Sequence, residues 1–377
     1  MRSIYGSLLL PVALLSISTA LVDGAVAATI PAAGTSRADV NAAIALAQVG
    51  DTVTIPAGTS TWSSPITITK GIYIIGAGPS NTKLINGATG ETPIFNIALT
   101  ADNRMEISGI YFQDAGLNFD SDGIHISNET IHEEKVRIYN CIFDSFIFGI
   151  HIHAAHGVVH NSTFINNDHN FRVVGYLSGD LANHAFDLPP WAWNSQHFWV
   201  MEDCTINYTR DTSTVLSIDT EFPASYMIRH TTWNVNRPGA SWYDTIDMHG
   251  RTGNTSIENN IGIVIYNNTI NFTGNTGGGQ RFADIRGGKF HLVYNNVVTG
   301  VSSISIELSS NPSGSPRPTD TYIWNNSPAF RINTFDGVAL NVDYFLSPPP
   351  GFVELAYPHP LRAATVAPSA PSAPTVR

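Results

Sequence analysis

Val136-Arg-Ile-Tyr-Asn140-Cys-Ile-Phe143 is a short apolar phrase broken by a small polar residue, and it returns along the chain. The next copies are Val158-Val-His-Asn161-Ser-Thr-Phe164 and Val200-Met-Glu-Asp203-Cys-Thr-Ile206. Then come Met227-Ile-Arg-His230-Thr-Thr-Trp233, Val264-Ile-Tyr-Asn-Asn268-Thr-Ile270 and Leu292-Val-Tyr-Asn-Asn296-Val-Val298. Aligned on residues 140, 161, 203, 230, 268 and 296, the copies step by 21, 42, 27, 38 and 28 residues. A unit in the twenties, stretched by loops, is the signature of a solenoid. One copy is too short to bury a core, so successive copies must stack.

The copies are rich in Val, Ile, Tyr, Phe, Trp and Thr and are bounded by Gly, Asn, Asp and Ser, so each reads as strand. Asn tolerates the left-handed backbone of a tight turn, and stacked Asn side chains can bond one rung to the next. One helical pattern stands out, Ser36-Arg-Ala-Asp-Val-Asn-Ala-Ala-Ile-Ala-Leu-Ala47, with Ser36 as N-cap and Gly50 beyond its end. It is expected to cap the open end of the core, within residues 36–49. These features together imply an all-β parallel β-helix.

The segment Gly50-Asp-Thr-Val-Thr-Ile-Pro-Ala-Gly-Thr59, followed by Ile66-Thr-Ile-Thr-Lys-Gly-Ile-Tyr-Ile-Ile-Gly76, resembles the opening rungs of right-handed parallel β-helix proteins of the pectate-lyase-like superfamily. The resemblance covers most of residues 36–345. Tyr357-Pro-His-Pro-Leu361 also resembles an ending of secreted bacterial β-helix proteins. The resemblance implies the fold but not the reaction, because the superfamily holds lyases, hydrolases, epimerases, esterases, tailspikes and adhesins.

Arg2, an apolar stretch from Leu8 to Val22 and Ala25-Val26-Ala27 read as a signal peptide over residues 1–27. An exported protein with no membrane span in its mature part is expected, secreted or held at the cell surface. Residues 28–362 are then a single β-helix domain, and 363–377 a Pro/Ala/Ser-rich tail or linker. The net charge is −11 with no basic run, which argues against nucleic acid as a partner. Cys141 and Cys204 stand at equivalent places in repeats two rungs apart, which is beyond disulfide reach. Asn128, Asn161, Asn207, Asn254, Asn267, Asn271 and Asn325 sit in Asn-x-Ser/Thr sequences and read as turn and ladder residues. A capped solenoid need not associate, so a monomer is expected.

Register locates the candidate chemistry. Ile218-Asp-Thr-Glu221, Ile246-Asp-Met-His249 and Ala283-Asp-Ile-Arg286 fall at comparable distances before their polar phrases. Alternation sends Ile218, Thr220, Ile246, Met248, Ala283 and Ile285 inward. It sends out two ladders, Asp219, Asp247, Asp284 and Glu221, His249, Arg286. Three stacked carboxylates repel unless cations support them. Arg251, Arg281 and Lys289, on adjoining turns, could add positive charge. The plain alternative is an ionic surface that only solubilises the sheet. By the same alternation His125, His151 and His153 point outward on earlier rungs, with Arg172 on the next step. The His151/His153 pair reads as a hydrogen-bonded surface pair, and no metal site is assigned. The insert between Gly175 and Phe198 carries Trp191 and Trp193, which either stack on sugars or anchor the loop.

The favoured function is a polysaccharide lyase cleaving a uronic-acid glycan by β-elimination. His249 would be the base, and Arg286, with Arg251 or Lys289, would neutralise the substrate carboxylate. Asp219, Glu221, Asp284, Arg281, Trp191, Trp193, His151 and His153 would bind substrate. A glycoside hydrolase with paired Asp/Glu, Asp247 acting with Asp219, Glu221 or Asp284 as catalytic acid and base, is another possibility. A non-catalytic glycan-binding or display protein is a third. No cofactor is assigned; the oxygen-rich Asp ladder leaves calcium possible.

Overall fold

The computed structural model describes residues 27–90, 92–101, 103–116, 121–127, 136–153, 156–174, 198–209, 216–221, 224–236, 244–248, 262–274, 280–310 and 317–363. Every strand pairing among them is parallel, as a coil that never reverses direction requires. Three sheets, of twelve, nine and ten described strands, run side by side. Each rung visits them in turn, as in Val136–Tyr139, Ile142–Asp144 and Phe148–His153. The fold is a right-handed parallel β-helix. The helix Arg37–Leu46 covers its first rungs with Val40, Ala43 and Ile44 buried, and the Ser36 side chain accepts from the Asp39 N–H. Among the described residues no helix is long and apolar enough to cross a membrane.

The core is a column of like residues from successive rungs. Phe112, Phe143 and Phe164 stack face to face at 5.1 Å centroid spacing, close to the rung repeat of about 4.8 Å. Trp233 is wholly buried and its indole N–H donates to Ser217 Oγ at 2.8 Å. Cys141 and Cys204 are buried free thiols two rungs apart. Burial pushes both thiols up to about 12, so neither is a nucleophile at neutral pH.

The turns refine the repeat. Asn140, Asn161, Asp203 and His230 take left-handed φ, and in the later copies the residues that do so are Asn267 and Asn295. The sequence pattern points to Asn268 and Asn296, one residue further on, so the step after His230 is 37 rather than 38. The displaced residues have a separate job. Asn268, Asn296 and Asn326 point inward and bond in series: Asn268 Nδ2 to Asn296 Oδ1 at 3.0 Å and Asn296 Nδ2 to Asn326 Oδ1 at 2.9 Å. Asn296 Oδ1 also accepts the Asn268 backbone N–H at 3.2 Å. A second ladder, Asn207, Asn234 and Asn271, bonds at 2.9 and 3.1 Å and runs up the second sheet. Of the Asn-x-Ser/Thr positions, Asn161, Asn267 and Asn325 are thus turn residues and Asn207 and Asn271 ladder residues, while Asn128 and Asn254 lie outside the described residues.

Truncating a ladder Asn leaves buried partners unsatisfied, at about 1–3 kcal/mol for each such group. Asn296→Ala is expected to lower stability by about 2–4 kcal/mol on that scale. A urea-denaturation midpoint unchanged from wild type would show that the ladder contributes nothing.

After Tyr344–Phe345, the last strand of the first sheet, residues 346–363 pack along the outer face of that sheet. Phe352, Leu355 and Leu361 pack on a buried apolar stripe that includes Val200, Met227 and Tyr266. The Tyr357–Leu361 segment is held there by polar contacts. The His359 N–H donates to Glu202 Oε1 at 3.0 Å, Tyr357 OH donates to Asp203 Oδ1 at 2.8 Å, and Arg104 Nη2 donates to the Leu361 carbonyl at 2.9 Å.

Candidate functional site

The outer face of the third sheet carries one continuous polar column. Register stacks Asn96 on His125, then His151, Arg172, Asp219, Asp247, Asp284 and Glu307. Strand alternation explains it. Ile218, Ile246 and Ala283 stack inward, as do Thr220, Met248 and Ile285, so the residues between them must face out. The expected Asp219, Asp247, Asp284 ladder is therefore present, and His125, His151 and Arg172 extend the same ladder.

The second ladder is placed only in part. Register seats His153 against Val174 and Val174 against Glu221, so a buried apolar residue separates His153 from that line. Arg286 lies beside Ser309. His249, Arg251, Trp191 and Trp193 lie outside the described residues, as does the side chain of Glu221.

The outward Asp residues are not washed by solvent. Asp219, Asp247 and Asp284 are 5%, 1% and 5% exposed. A dry face makes each charge pairing stronger than it would be in water. Arg286 supplies the main pairing, with Nη2 3.3 Å from Asp247 Oδ1 and Nε 2.9 Å from Asp284 Oδ2. Arg281 Nη1 donates to Asp284 Oδ2 at 3.0 Å and Glu307 Oε2 at 2.6 Å. Arg172 Nε lies 3.7 Å from Asp219 Oδ2, and its guanidinium covers the Phe148 ring. Burial pushes the Asp284 carboxyl above the usual range, and neighbouring Asp247 adds to it, while Arg286 and Arg281 pull the other way. Tyr226, buried near the same row, has no hydrogen-bond partner for its OH among the described residues. Burial, reinforced by the charges of Asp247 and Asp219, holds its phenol protonated.

Arg281 was expected on a turn. Instead it lies within the strand Gln280–Arg286, where the register shifts between Arg281 and Ala283. The bulge places Arg281 and Asp284, three residues apart, on the same face, while Phe282 enters the core against Phe330. Strict alternation would have sent Arg281 inward. Lys289 lies past Gly287 and Gly288, with Nζ 5.1 Å from the Phe290 ring centre.

The histidines form a cluster rather than a surface pair. His151 is buried, its ring stacks on His125 at 4.7 Å, and its Nε2 meets His153 Nε2 at 3.1 Å. Asp122 Oδ2 lies 3.5 Å from His125 Nδ1 and 3.4 Å from His151 Nδ1. Burial and the neighbouring His151 push His125 down to about 4.

No family model matches the chain, and no curated protein matches it. Among solved structures it is similar to an alginate lyase from Paenibacillus sp. str. FPU-7, at 15% identity and a TM-score of 0.41, over 82% of this chain and 98% of that one. It is similar to the A-module of the Azotobacter vinelandii mannuronan C-5 epimerase AlgE4, at 14% identity and a TM-score of 0.30, over 87% of this chain and 100% of that one. The catalytic domain of a GH87 α-1,3-glucanase, in complex with nigerose, is similar at 13% identity and a TM-score of 0.31, over 82% of this chain and 68% of that one. The fold assigned above rests on the register of this chain's own strands.

Proposed function

We propose that this chain is an exported carbohydrate-active protein, and that it cleaves a uronic-acid-containing polysaccharide by β-elimination on the outer face of the third sheet. One observation carries the reading: an outward row of carboxylates, Asp219, Asp247 and Asp284, is buried and interleaved with Arg172, Arg286 and Arg281. A sheet surface whose charges serve solubility would leave them in water. Arg286 and Arg172 are the part-exposed cations of the row, with side chains 24% and 20% exposed. They are the groups that would meet a uronate carboxylate.

In the proposed step a base takes the proton from the carbon next to the uronate carboxylate. The electron pair forms the new double bond, and the glycosidic carbon–oxygen bond breaks to release the leaving sugar. Negative charge grows on the carboxylate as the proton leaves, so a fixed guanidinium stabilises the transition state more than the ground state. Arg286 is held from two sides by Asp247 and Asp284, which presets its position. His249 is the base in this reading.

A second reading, glycoside hydrolysis, is favoured by Asp284. Its carboxyl is raised by burial, then by Asp247 on the adjacent rung, while Arg286 and Arg281 oppose. A carboxyl raised in this way can serve as the acid of a glycosidase pair.

The test is incubation of the purified mature protein with uronic and neutral polysaccharides, with and without calcium. Ultraviolet absorbance of unsaturated ends together with new reducing ends is the expected result. Reducing ends alone would replace elimination with hydrolysis. Silence on both would leave a binding or display protein. His249→Ala is expected to abolish turnover, and retained turnover removes His249 from the mechanism.

A further inference from the structure

We propose that His125, His151 and His153 form a binding site for a divalent transition-metal ion of the zinc class, with Asp122 as the carboxylate that orients the rings. Each histidine offers one nitrogen, and the three ligand atoms lie within 4.8 Å of one another. His151 Nε2 and His153 Nε2 are 3.1 Å apart. Two nitrogens on a tetrahedral zinc ion, each bonded at about 2.0–2.1 Å, stand about 3.3 Å apart, so this pair already has nearly the spacing of a ligand edge. A hydrogen bond between the two rings would explain that distance alone. It does not explain the third ring. His125 comes from the preceding rung, its Nε2 is buried, and it has no hydrogen-bond partner among the described residues.

Asp122 adds an independent observation. It is fully buried, and its Oδ2 approaches Nδ1 of both His125 and His151. A carboxylate behind the far ring nitrogen fixes the tautomer of a metal-bound histidine and turns its Nε2 toward the ion. A Cβ added at Gly123 would lie 2.6 Å from the Gly149 carbonyl oxygen and 2.9 Å from Phe143 Cδ1, so glycine lets the two histidine-bearing rungs pack this closely. Imidazole donors with one carboxylate behind them select zinc, copper or nickel over calcium or magnesium, which prefer oxygen. His125 and His153 are part-exposed, leaving an edge through which an ion can enter.

The site continues the ladder of the proposed reaction face, but its test needs no substrate. The full chain, stripped with a chelator, is titrated with Co2+, followed by its visible absorption, and then with Zn2+. One ion per chain, displaced by zinc, is expected. His153→Ala and His125→Ala should each weaken binding by at least about tenfold, and Asp122→Asn by about 10–100-fold. Far-ultraviolet circular dichroism checks that each variant is folded. If Asp122→Asn does not fold, the part-exposed His153 decides the matter. No stoichiometric binding, or binding that His153→Ala and His125→Ala both retain at full affinity, would overturn the proposal.

Discussion

Arg229→Ala is expected to lower the unfolding free energy by about 3–5 kcal/mol, the usual cost of removing one partner from a buried ion pair. Arg229 and Glu202 are both 0% exposed, on neighbouring strands of the first sheet, with Nη2 2.7 Å and Nε 2.8 Å from Glu202 Oε2. Without Arg229 the Glu202 carboxylate stays in a dry site with less positive charge around it. Two further contacts are lost, from Arg229 Nη1 to Tyr266 OH at 2.7 Å and to the Leu355 carbonyl at 3.4 Å. The second of these belongs to the C-terminal segment packed on the first sheet, so limited proteolysis of residues 346–363 should quicken as well. The measurement is a denaturation curve. A midpoint within error of wild type would mean that the pair and this segment contribute no net stability.

Acid should weaken the same junction. Burial alone would raise the Glu202 carboxyl. The Arg229 charge, the Arg362 hydrogen bond, the His359 N–H and the Arg229 hydrogen bond outweigh it and hold the group below the ordinary range. A depressed carboxyl stabilises the fold above its unfolded value of about 4.3, and that stability is lost as pH falls through the folded value. The stability of the wild type should therefore fall below about pH 4 more steeply than that of Glu202→Gln. Parallel acid limbs in the two proteins would refute the assignment.

Arg286→Ala is expected to reduce turnover of the glycan by about 10²–10³-fold, the scale seen when one preset electrostatic donor is removed from a transition state. Arg286 touches both Asp247 and Asp284, so its loss also leaves two carboxylates on adjacent rungs to repel each other. Arg286→Lys tests this second effect. A lysine restores the charge but not the fork that reaches both carboxylates, so it should recover folding better than turnover. Steady-state kinetics on whichever glycan the panel identifies is the check. Unchanged kcat and KM in Arg286→Ala would remove this row from the reaction.

The repeated phrase and its alternation carried the fold and the Asp column in plain view. Ile218, Ile246 and Ala283 point inward, so Asp219, Asp247 and Asp284 had to share the other face. Even the one-residue slip at Asn268 and Asn296 left this column intact, because consecutive Asn residues can each serve the turn, and only backbone φ shows which one does. Ser36 marked the capping helix because its side chain meets the first free N–H groups of the turn that follows.

Alternation along a strand is a local property, so in the regular rungs sequence by itself determined which side chains leave the core and which stay. It could not determine what those side chains meet. Arg281 joined Asp284 only through a bulge, and an extra residue in a strand leaves no mark on composition. His125 met His151 and His153 because register stacked the rungs, although 26 residues separate His125 from His151. Asp247 left the core yet stayed dry, and Tyr357 found Asp203 across 154 residues of chain. Such contacts depend on how loops of unequal length return to the same axis, and that is a property of the closed coil rather than of any one rung.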